Sequence, residues 1–238
     1  MRAIIAATTV ITCLPFAAAA EERRIFFDVA MSSALLDRGE QIGGQTAEFF
    51  AGAEASAGEM LLYATVYRLL PIGSDRSAFD NETDYSVGVI WEGQGYEADV
   101  SANWLTYPGE QAADSLELAA SVSLDLPLAP GVAAFHDFHT DDWGLEVFGG
   151  PHWEQDAWTL YVLGRVGFAT LGDGSASRSY GGIETGAVRL LTDTVALGFQ
   201  LRAEAADEDS FASAFGADGV TAWRATGTSV GVSLSYAR

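Results

Sequence analysis

The chain alternates apolar and polar side chains over long stretches. In residues 96–104 every even position is apolar and every odd position is polar, and the even positions of 115–124 are again apolar. The last stretch, 230–236, repeats the pattern with Val230, Val232, Leu234 and Tyr236. Since successive side chains of a β-strand point to opposite faces, each stretch is an amphipathic strand with one apolar and one polar face.

The alternation predicts twelve strands joined by eleven connections. The predicted strands are 25–34, 46–54, 59–68, 83–91, 95–105, 114–124, 131–138, 143–149, 157–168, 179–191, 194–205 and 220–236. Long and short connections alternate along the chain, apart from a short one after residue 138. Transmembrane β-barrels have this arrangement, with short turns in the periplasm and long loops outside. We therefore predict an all-β, single closed antiparallel up-and-down transmembrane barrel with both chain ends in the periplasm.

A soluble β-sandwich also alternates, so the position of the large aromatic residues helps to decide between the two folds. Predicted periplasmic strand ends carry Trp91, Trp158 and Tyr236, and predicted outer ends carry Trp104, Tyr107, Trp143 and Phe168. Aromatic girdles at both membrane interfaces are typical of outer-membrane barrels. The barrel in the bacterial cell outer membrane is the favoured interpretation, and a soluble periplasmic β-sandwich binding protein remains the alternative.

The first twenty residues differ from the rest. Arg2 is followed by a mostly apolar run and then by Ala17–Ala20, which is the three-part pattern of a secretory signal peptide with a cleavage site before Glu21. The apolar run is too short to span a bilayer as a helix. We predict a signal peptide over 1–20 and the barrel over 21–238.

Composition narrows the set of partners. The chain has 33 acidic and 12 basic residues, a formal net charge of -21, and no Lys. Nucleic-acid binding needs clustered positive charge, so a nucleic-acid partner is not expected. The expected partners are outer-membrane lipid, lipopolysaccharide and small hydrophilic solutes, and the sequence leaves the oligomeric state open.

Four short motifs occur in a recognisable order. They are Arg38-Gly39 after the first strand, Glu82-Thr83-Asp84-Tyr85 at the start of a later strand, Trp104-Leu105-Thr106-Tyr107-Pro108-Gly109, and Asp114-Ser115-Leu116-Glu117-Leu118. In this order the chain resembles the TorF family of porins, small Gram-negative outer-membrane barrels, over about residues 25–124. The resemblance implies passive transport through the barrel.

The polar faces of the strands predict the residues that line a pore. These candidate pore-lining residues are Glu97, Asp99, Asn103, Glu117, Arg165, Gln200, Arg202 and Glu204. A barrel of this size is wider than the eight-stranded type, which side chains fill. We predict a porin-like channel for passive diffusion of small hydrophilic solutes, weakly cation-selective because acids are in excess. Alternatively, the Arg and acid pairs brace and plug the interior, and the barrel is structural and does not conduct.

One cluster could carry chemistry. His136-Asp137-Phe138-His139-Thr140-Asp141-Asp142 lies near a predicted outer hairpin, but the two histidines fall on opposite faces of a strand and converge poorly on one metal. A solvated hairpin is the simpler interpretation, and an enzyme that uses His139 and Asp141 is the remaining one. We expect no enzymatic activity, no catalytic residue, no cofactor and no metal site.

Overall fold

The computed structural model describes residues 23–74, 81–109, 114–172, 177–216 and 219–238, and the predicted signal peptide lies outside these ranges. The strands are β1 Arg23–Ser32, β2 Leu35–Asp37, β3 Glu40–Gly43, β4 Thr46–Ala57, β5 Met60–Pro71, β6 Glu82–Gly93, β7 Tyr96–Thr106, β8 Ser115–Leu124, β9 Gly131–Asp137, β10 Trp143–Gly149, β11 His152–Gln155, β12 Trp158–Thr170, β13 Arg178–Leu190, β14 Val195–Ala206, β15 Phe211–Gly216, β16 Gly219–Arg224 and β17 Thr226–Ala237. Within these ranges, no helix is long and apolar enough to cross a bilayer.

The main sheet closes on itself as a barrel of twelve antiparallel strands. Each wall strand pairs with its neighbours along the chain, and β1 pairs with β17 in the register Phe27↔Tyr236. Closure satisfies the backbone hydrogen bonds of both edges, which a bilayer requires because it offers no water to unpaired N–H and C=O groups. The predicted fold is thus confirmed, and each predicted strand corresponds to a wall strand.

The eighth wall strand is interrupted. Both β10 and β11 pair with β12, through Gly149↔Gly164 and His152↔Tyr161, so the two are one strand broken at Gly150-Pro151. Proline has no N–H to donate to the ladder. Its carbonyl still accepts a hydrogen bond from the Val162 N–H at 3.0 Å, which keeps the strand aligned across the break. His152 therefore begins a strand segment instead of lying in a turn.

The outward faces of the wall strands are apolar and exposed. Val166 is 67% exposed, Val87 is 60% exposed and Ile25 is 58% exposed, and similar side chains continue around the barrel. An apolar band of this extent is a liability for a protein in water, whereas lipid covers it in a transmembrane barrel. The soluble sandwich is therefore wrong, because the described strands form one closed layer with no second sheet against these rows.

Aromatic side chains mark both ends of this band. Trp91, Trp104, Trp143 and Trp158 lie on outward faces near strand ends, and the Trp143 ring packs edge-on against Phe168 at 5.2 Å. The girdle prediction fails for one residue, however. Tyr107 lies just past the end of β7, and its hydroxyl contacts the Glu82 carboxyl, which belongs to an inward face.

The two ends of the barrel differ in their connections. Both ends of the described chain lie at the end with the short turns, 58–59, 94–95, 125–130, 156–157 and 191–194. The opposite end, the loop end, carries connections that contain two extra hairpins, β2–β3 and β15–β16. The predicted strand 220–236 is therefore two strands, since β16 ends at Arg224 and β17 begins at Thr226.

Candidate functional site: the lumen and its inward hairpin

The β2–β3 hairpin, residues 35–43, lies inside the barrel near the loop end, and we call it the inward hairpin. One of its faces is buried against the wall: Leu35 and Ile42 pack with Tyr67 and Leu69 of β5. On the other face Leu36, only 2% exposed, packs against Phe211 of β15. Apolar contacts on both faces hold the hairpin across the lumen instead of leaving it in solvent.

The tip of the inward hairpin carries Arg38. Its guanidinium donates to both carboxylate oxygens of Glu117 on β8, at 2.7 and 3.2 Å, and lies 3.5 Å from the centre of the Phe135 ring on β9. Burial lowers the pKa of Arg38, but the Glu117 and Asp37 carboxylates together raise it above its ordinary value. The guanidinium is therefore charged, and this bidentate pair fixes the tip to one side of the lumen.

Other tip contacts reach the opposite side. Glu40 accepts a hydrogen bond from Arg178 of β13 at 2.8 Å, and the Gly39 N–H donates to Glu204 of β14 at 3.3 Å. At Gly39, where φ is +76°, an added Cβ would lie 2.4 Å from the Cβ of Tyr180, so glycine alone fits this turn. The tip therefore spans the lumen from β8 to β14.

The second extra hairpin closes over the first. Ser210, just before β15, donates its hydroxyl to the Gly39 carbonyl, and its own carbonyl accepts from the Gln41 N–H at 3.1 Å. Phe211 is fully buried between Leu36 and the wall, beside Gly227 of β17. The two hairpins together narrow the loop end of the barrel.

The structure places all eight predicted pore-lining residues on inward faces of the wall. Six of them are less than a tenth exposed, and two, Glu97 and Gln200, are only half-buried. The six are Asp99, Asn103, Glu117, Arg165, Arg202 and Glu204. All six buried residues hydrogen-bond to other side chains, as Asp99 does to Tyr63 and Glu117 to Arg38.

One side of the lumen holds three arginines, which we call the arginine wall: Arg165 of β12, Arg178 of β13 and Arg202 of β14. Arg165 pairs with Glu184 at 3.4 Å, and the Arg202 Nε donates to Glu204 at 2.8 Å. A carboxylate neutralises each guanidinium: Arg165–Glu184 joins β12 to β13, Arg178–Glu40 joins β13 to the inward hairpin, and Arg202–Glu204 lies within β14.

The other side holds buried carboxylates, which we call the acidic wall: Glu48 of β4, Glu82 and Asp84 of β6, and Asp99 of β7. Hydroxyl groups donate to two of them. The Tyr63 hydroxyl reaches Asp99 at 2.9 Å, and Ser32 reaches Glu48 at 3.0 Å. Since hydroxyls carry no charge, they satisfy these carboxylates without neutralising them.

Glu82 and Asp84 lie side by side at the loop end. Two residues apart on one strand, they share an inward face, and their carboxyl groups are in hydrogen-bond contact. Tyr107 contacts Glu82, and burial followed by the Glu82 and Asp84 charges raises the pKa of the Tyr107 hydroxyl, which stays protonated and donates. Asp84 Oδ1 is buried and accepts no hydrogen bond.

The histidine cluster does not form a catalytic arrangement in the described residues. His136 Nε2 lies 3.8 Å from an oxygen of Asp141, whose side chain is largely exposed, and the His136 ring packs against Phe138. Asp137 instead accepts backbone hydrogen bonds from His139 and Thr140, which shape the turn. Over the described part of the chain, no three His, Cys, Asp or Glu side chains converge as metal ligands.

Comparison with known proteins supports the fold. No protein-family model and no curated protein matches the chain. A membrane protein solved in a study of in-meso crystallization matches with a TM-score of 0.51 and 8% identity, over 90% of this chain and 83% of that one. The COG4313 outer membrane channel from Pseudomonas putida F1 matches with a TM-score of 0.49 and 7% identity, over 91% and 94%. LpxR from Salmonella typhimurium matches with a TM-score of 0.49 and 12% identity, over 90% and 99%.

The closed barrel, its exposed apolar band and its aromatic girdles together define a class: the protein is an outer-membrane β-barrel of the bacterial cell. The short-turn end is then the periplasmic end and the loop end is the outer one. The expectation of no enzymatic activity is wrong as an exclusion, because outer-membrane barrels include enzymes.

Proposed function

We propose that the barrel is a narrow channel for passive diffusion of small hydrophilic solutes with a preference for cations. The observation that carries the proposal is the charge of the lumen, where inward carboxylates outnumber arginines. The inward carboxylates of the wall include Asp28, Glu48, Glu54, Glu82, Asp84, Glu97, Asp99, Glu117, Asp137, Glu146, Glu184 and Glu204, against Arg24, Arg165, Arg178 and Arg202. A lumen whose polar lining is acidic attracts cations and repels anions.

The inward hairpin supplies the constriction. It carries one positive and two negative side chains at its tip, and Arg38 faces the acidic side of the lumen through Glu117. A solute that passes must move beside this hairpin, so the hairpin limits the size of what diffuses. The resemblance to TorF porins agrees with such a role, and membership of that family is part of the proposal.

The proposal is tested by reconstituting the purified barrel into planar bilayers and recording single-channel current in KCl. Small, steady current steps are expected, much smaller than those of wide 16-stranded porins, because the barrel has twelve strands and a hairpin in its lumen. Bilayers that hold folded barrel, shown by heat-modifiable gel migration, yet stay silent would contradict the channel.

One observation favours a second candidate, a non-conducting structural barrel. Six of the eight predicted pore-lining residues are buried, and the Arg165–Glu184 and Arg202–Glu204 pairs brace the interior. In that case removal of the inward hairpin leaves the barrel silent, whereas a channel with a constriction gains conductance. The proposed partners are outer-membrane lipid, lipopolysaccharide and the diffusing solutes.

A further inference from the structure

We propose that Glu82 and Asp84 form a binding site for a divalent cation such as Ca²⁺ at the outer mouth of the barrel. The proposal deepens the channel function, on which it rests, because the site would hold a cation where ions from outside reach the acidic wall. It stands on three observations about these two side chains: their mutual contact, their burial, and the partners of the other buried carboxylates.

The contact places two acids where one negative charge repels the other. Both side chains are about 6% exposed, and their carboxyl groups are within hydrogen-bond reach of each other. Two carboxylates this close cannot both be ionised unless a proton or a cation lies between them. The arrangement therefore needs a positive partner.

The other buried carboxylates of the lumen have ordinary donors. Glu117 accepts from Arg38, Glu184 from Arg165, and Asp99 from Tyr63. Among the described residues, Asp84 is instead the buried carboxylate whose side-chain contact is a second carboxyl, and its Oδ1 accepts no hydrogen bond. One carboxylate oxygen of the pair is thus buried without a hydrogen-bond donor.

Arg68, which pairs with Thr83 from the neighbouring strand β5, donates its hydrogen bonds elsewhere. Arg68 donates to the backbone carbonyls of Leu69 and Glu82 at 2.9 and 2.7 Å and to the Asn81 side chain at 2.5 Å. Tyr107 donates to Glu82 from the other direction and holds that carboxyl in place. Within the described ranges, the site therefore offers carboxylate oxygens and no fixed cation, the donor set that Ca²⁺ prefers over softer metals.

The binding test uses the full barrel in detergent and Ca²⁺ alone, measured by equilibrium dialysis. We expect a saturable site with a dissociation constant on the order of 10⁻⁴ to 10⁻³ M, the range of extracellular calcium modules. Asp84→Asn keeps the shape of the side chain and should remove that site. The control, the double change Glu208→Gln and Asp209→Asn, removes two other carboxylates at the outer end and should keep the site.

Thermal unfolding gives a second measurement that does not depend on counting the bound Ca²⁺ ions. Ca²⁺ should raise the unfolding temperature of the wild type and of the control, but not that of Asp84→Asn. Without Ca²⁺, Asp84→Asn should be at least as stable as the wild type, since it removes a like-charge contact. Equal Ca²⁺ binding and equal stabilisation in the wild type and Asp84→Asn would overturn the site.

The failure of this site and the failure of the channel can be told apart. Neither dialysis nor unfolding requires current, so a silent barrel that binds Ca²⁺ through Asp84 keeps the site and loses the channel. In a conducting barrel, Ca²⁺ added on the outer side should reduce the K⁺ current of the wild type and leave the current of Asp84→Asn unchanged. Equal reduction in both proteins would count against the site while the channel stands.

Discussion

The acidic wall and the arginine wall solve the same problem in different ways. Both bury charged groups inside a barrel, but Arg165 and Arg202 are neutralised by adjacent carboxylates. Asp99 instead accepts from the Tyr63 hydroxyl, and Asp84 contacts another carboxyl while its Oδ1 accepts no hydrogen bond. A guanidinium cancels the charge of its carboxylate, whereas a hydroxyl donates a hydrogen bond without cancelling it. In the proposed channel, the arginine wall therefore holds the inward hairpin and the acidic wall sets the preference for cations.

The largest effect is expected from removing the element that joins the two walls. Replacing residues 35–43 by a short Gly-Ser linker deletes the Arg38–Glu117, Arg178–Glu40 and Gly39–Glu204 contacts together. Single-channel conductance should rise several-fold because the constriction is gone. Planar bilayer recordings measure it, and an unchanged conductance would show that the hairpin does not limit the pore.

The next largest effect, a loss of unfolding free energy, is expected from breaking a pair in the arginine wall. Arg202→Met leaves Glu204, 3% exposed, without its guanidinium partner, and removal of one member of a buried pair costs about 3–5 kcal/mol. Urea unfolding in lipid vesicles, followed by tryptophan fluorescence, measures this loss. Stability equal to that of the wild type would mean that the pair does not brace β14.

A smaller effect is expected at the turn of the inward hairpin. Gly39→Ala introduces a methyl group 2.4 Å from Tyr180 Cβ at positive φ, so overpacking adds about 1–3 kcal/mol to the backbone strain. Gly58→Ala is the matched control, because its φ is also positive, +69°, and nothing lies within 4 Å of the added atom. The control should lose only about 1–2 kcal/mol. Equal losses in the same unfolding assay would place the hairpin tip away from Tyr180.

The smallest effect is expected in the acidic wall. Asp99→Asn removes a charge but keeps an oxygen that can accept from the Tyr63 hydroxyl at 2.9 Å. The net change in stability should be about 1 kcal/mol or less, well below that of Arg202→Met. A loss as large as the Arg202→Met loss would show that the two walls do not differ in how they use charge.

The sequence predicts the wall better than it predicts what fills it. Period-two alternation reports which face of a strand meets lipid, so all twelve wall strands and the inward positions of residues such as Glu97 and Gln200 follow from it. The strands of the inward hairpin are too short to show alternation. Its adjacent residues Leu35 and Leu36 are both apolar, because Leu35 packs against β5 and Leu36 packs against Phe211.

The pairing inside the lumen could not be predicted because it depends on three-dimensional register. Arg38 and Glu117 are 79 residues apart, and nothing local couples them. The motifs that contain Arg38, Glu117, Glu82, Asp84 and Tyr107 were visible in the sequence. Only closure of the barrel, however, brings β6, β8 and the inward hairpin close together in the lumen. An acidic residue repeated two positions apart on a polar face, as in Glu82 and Asp84, was the one sequence signal for the outer-mouth pair.

The reversal potential across a KCl gradient tests the central claim most directly, because it reports the sign of the charge that permeating ions meet in the lumen. Because inward carboxylates outnumber arginines and the arginines of the arginine wall are paired, the barrel should favour K⁺ over Cl⁻, and the hairpin-deleted barrel should favour K⁺ as well. A potential of the sign that indicates preferred Cl⁻ flow in the wild-type barrel would contradict the account.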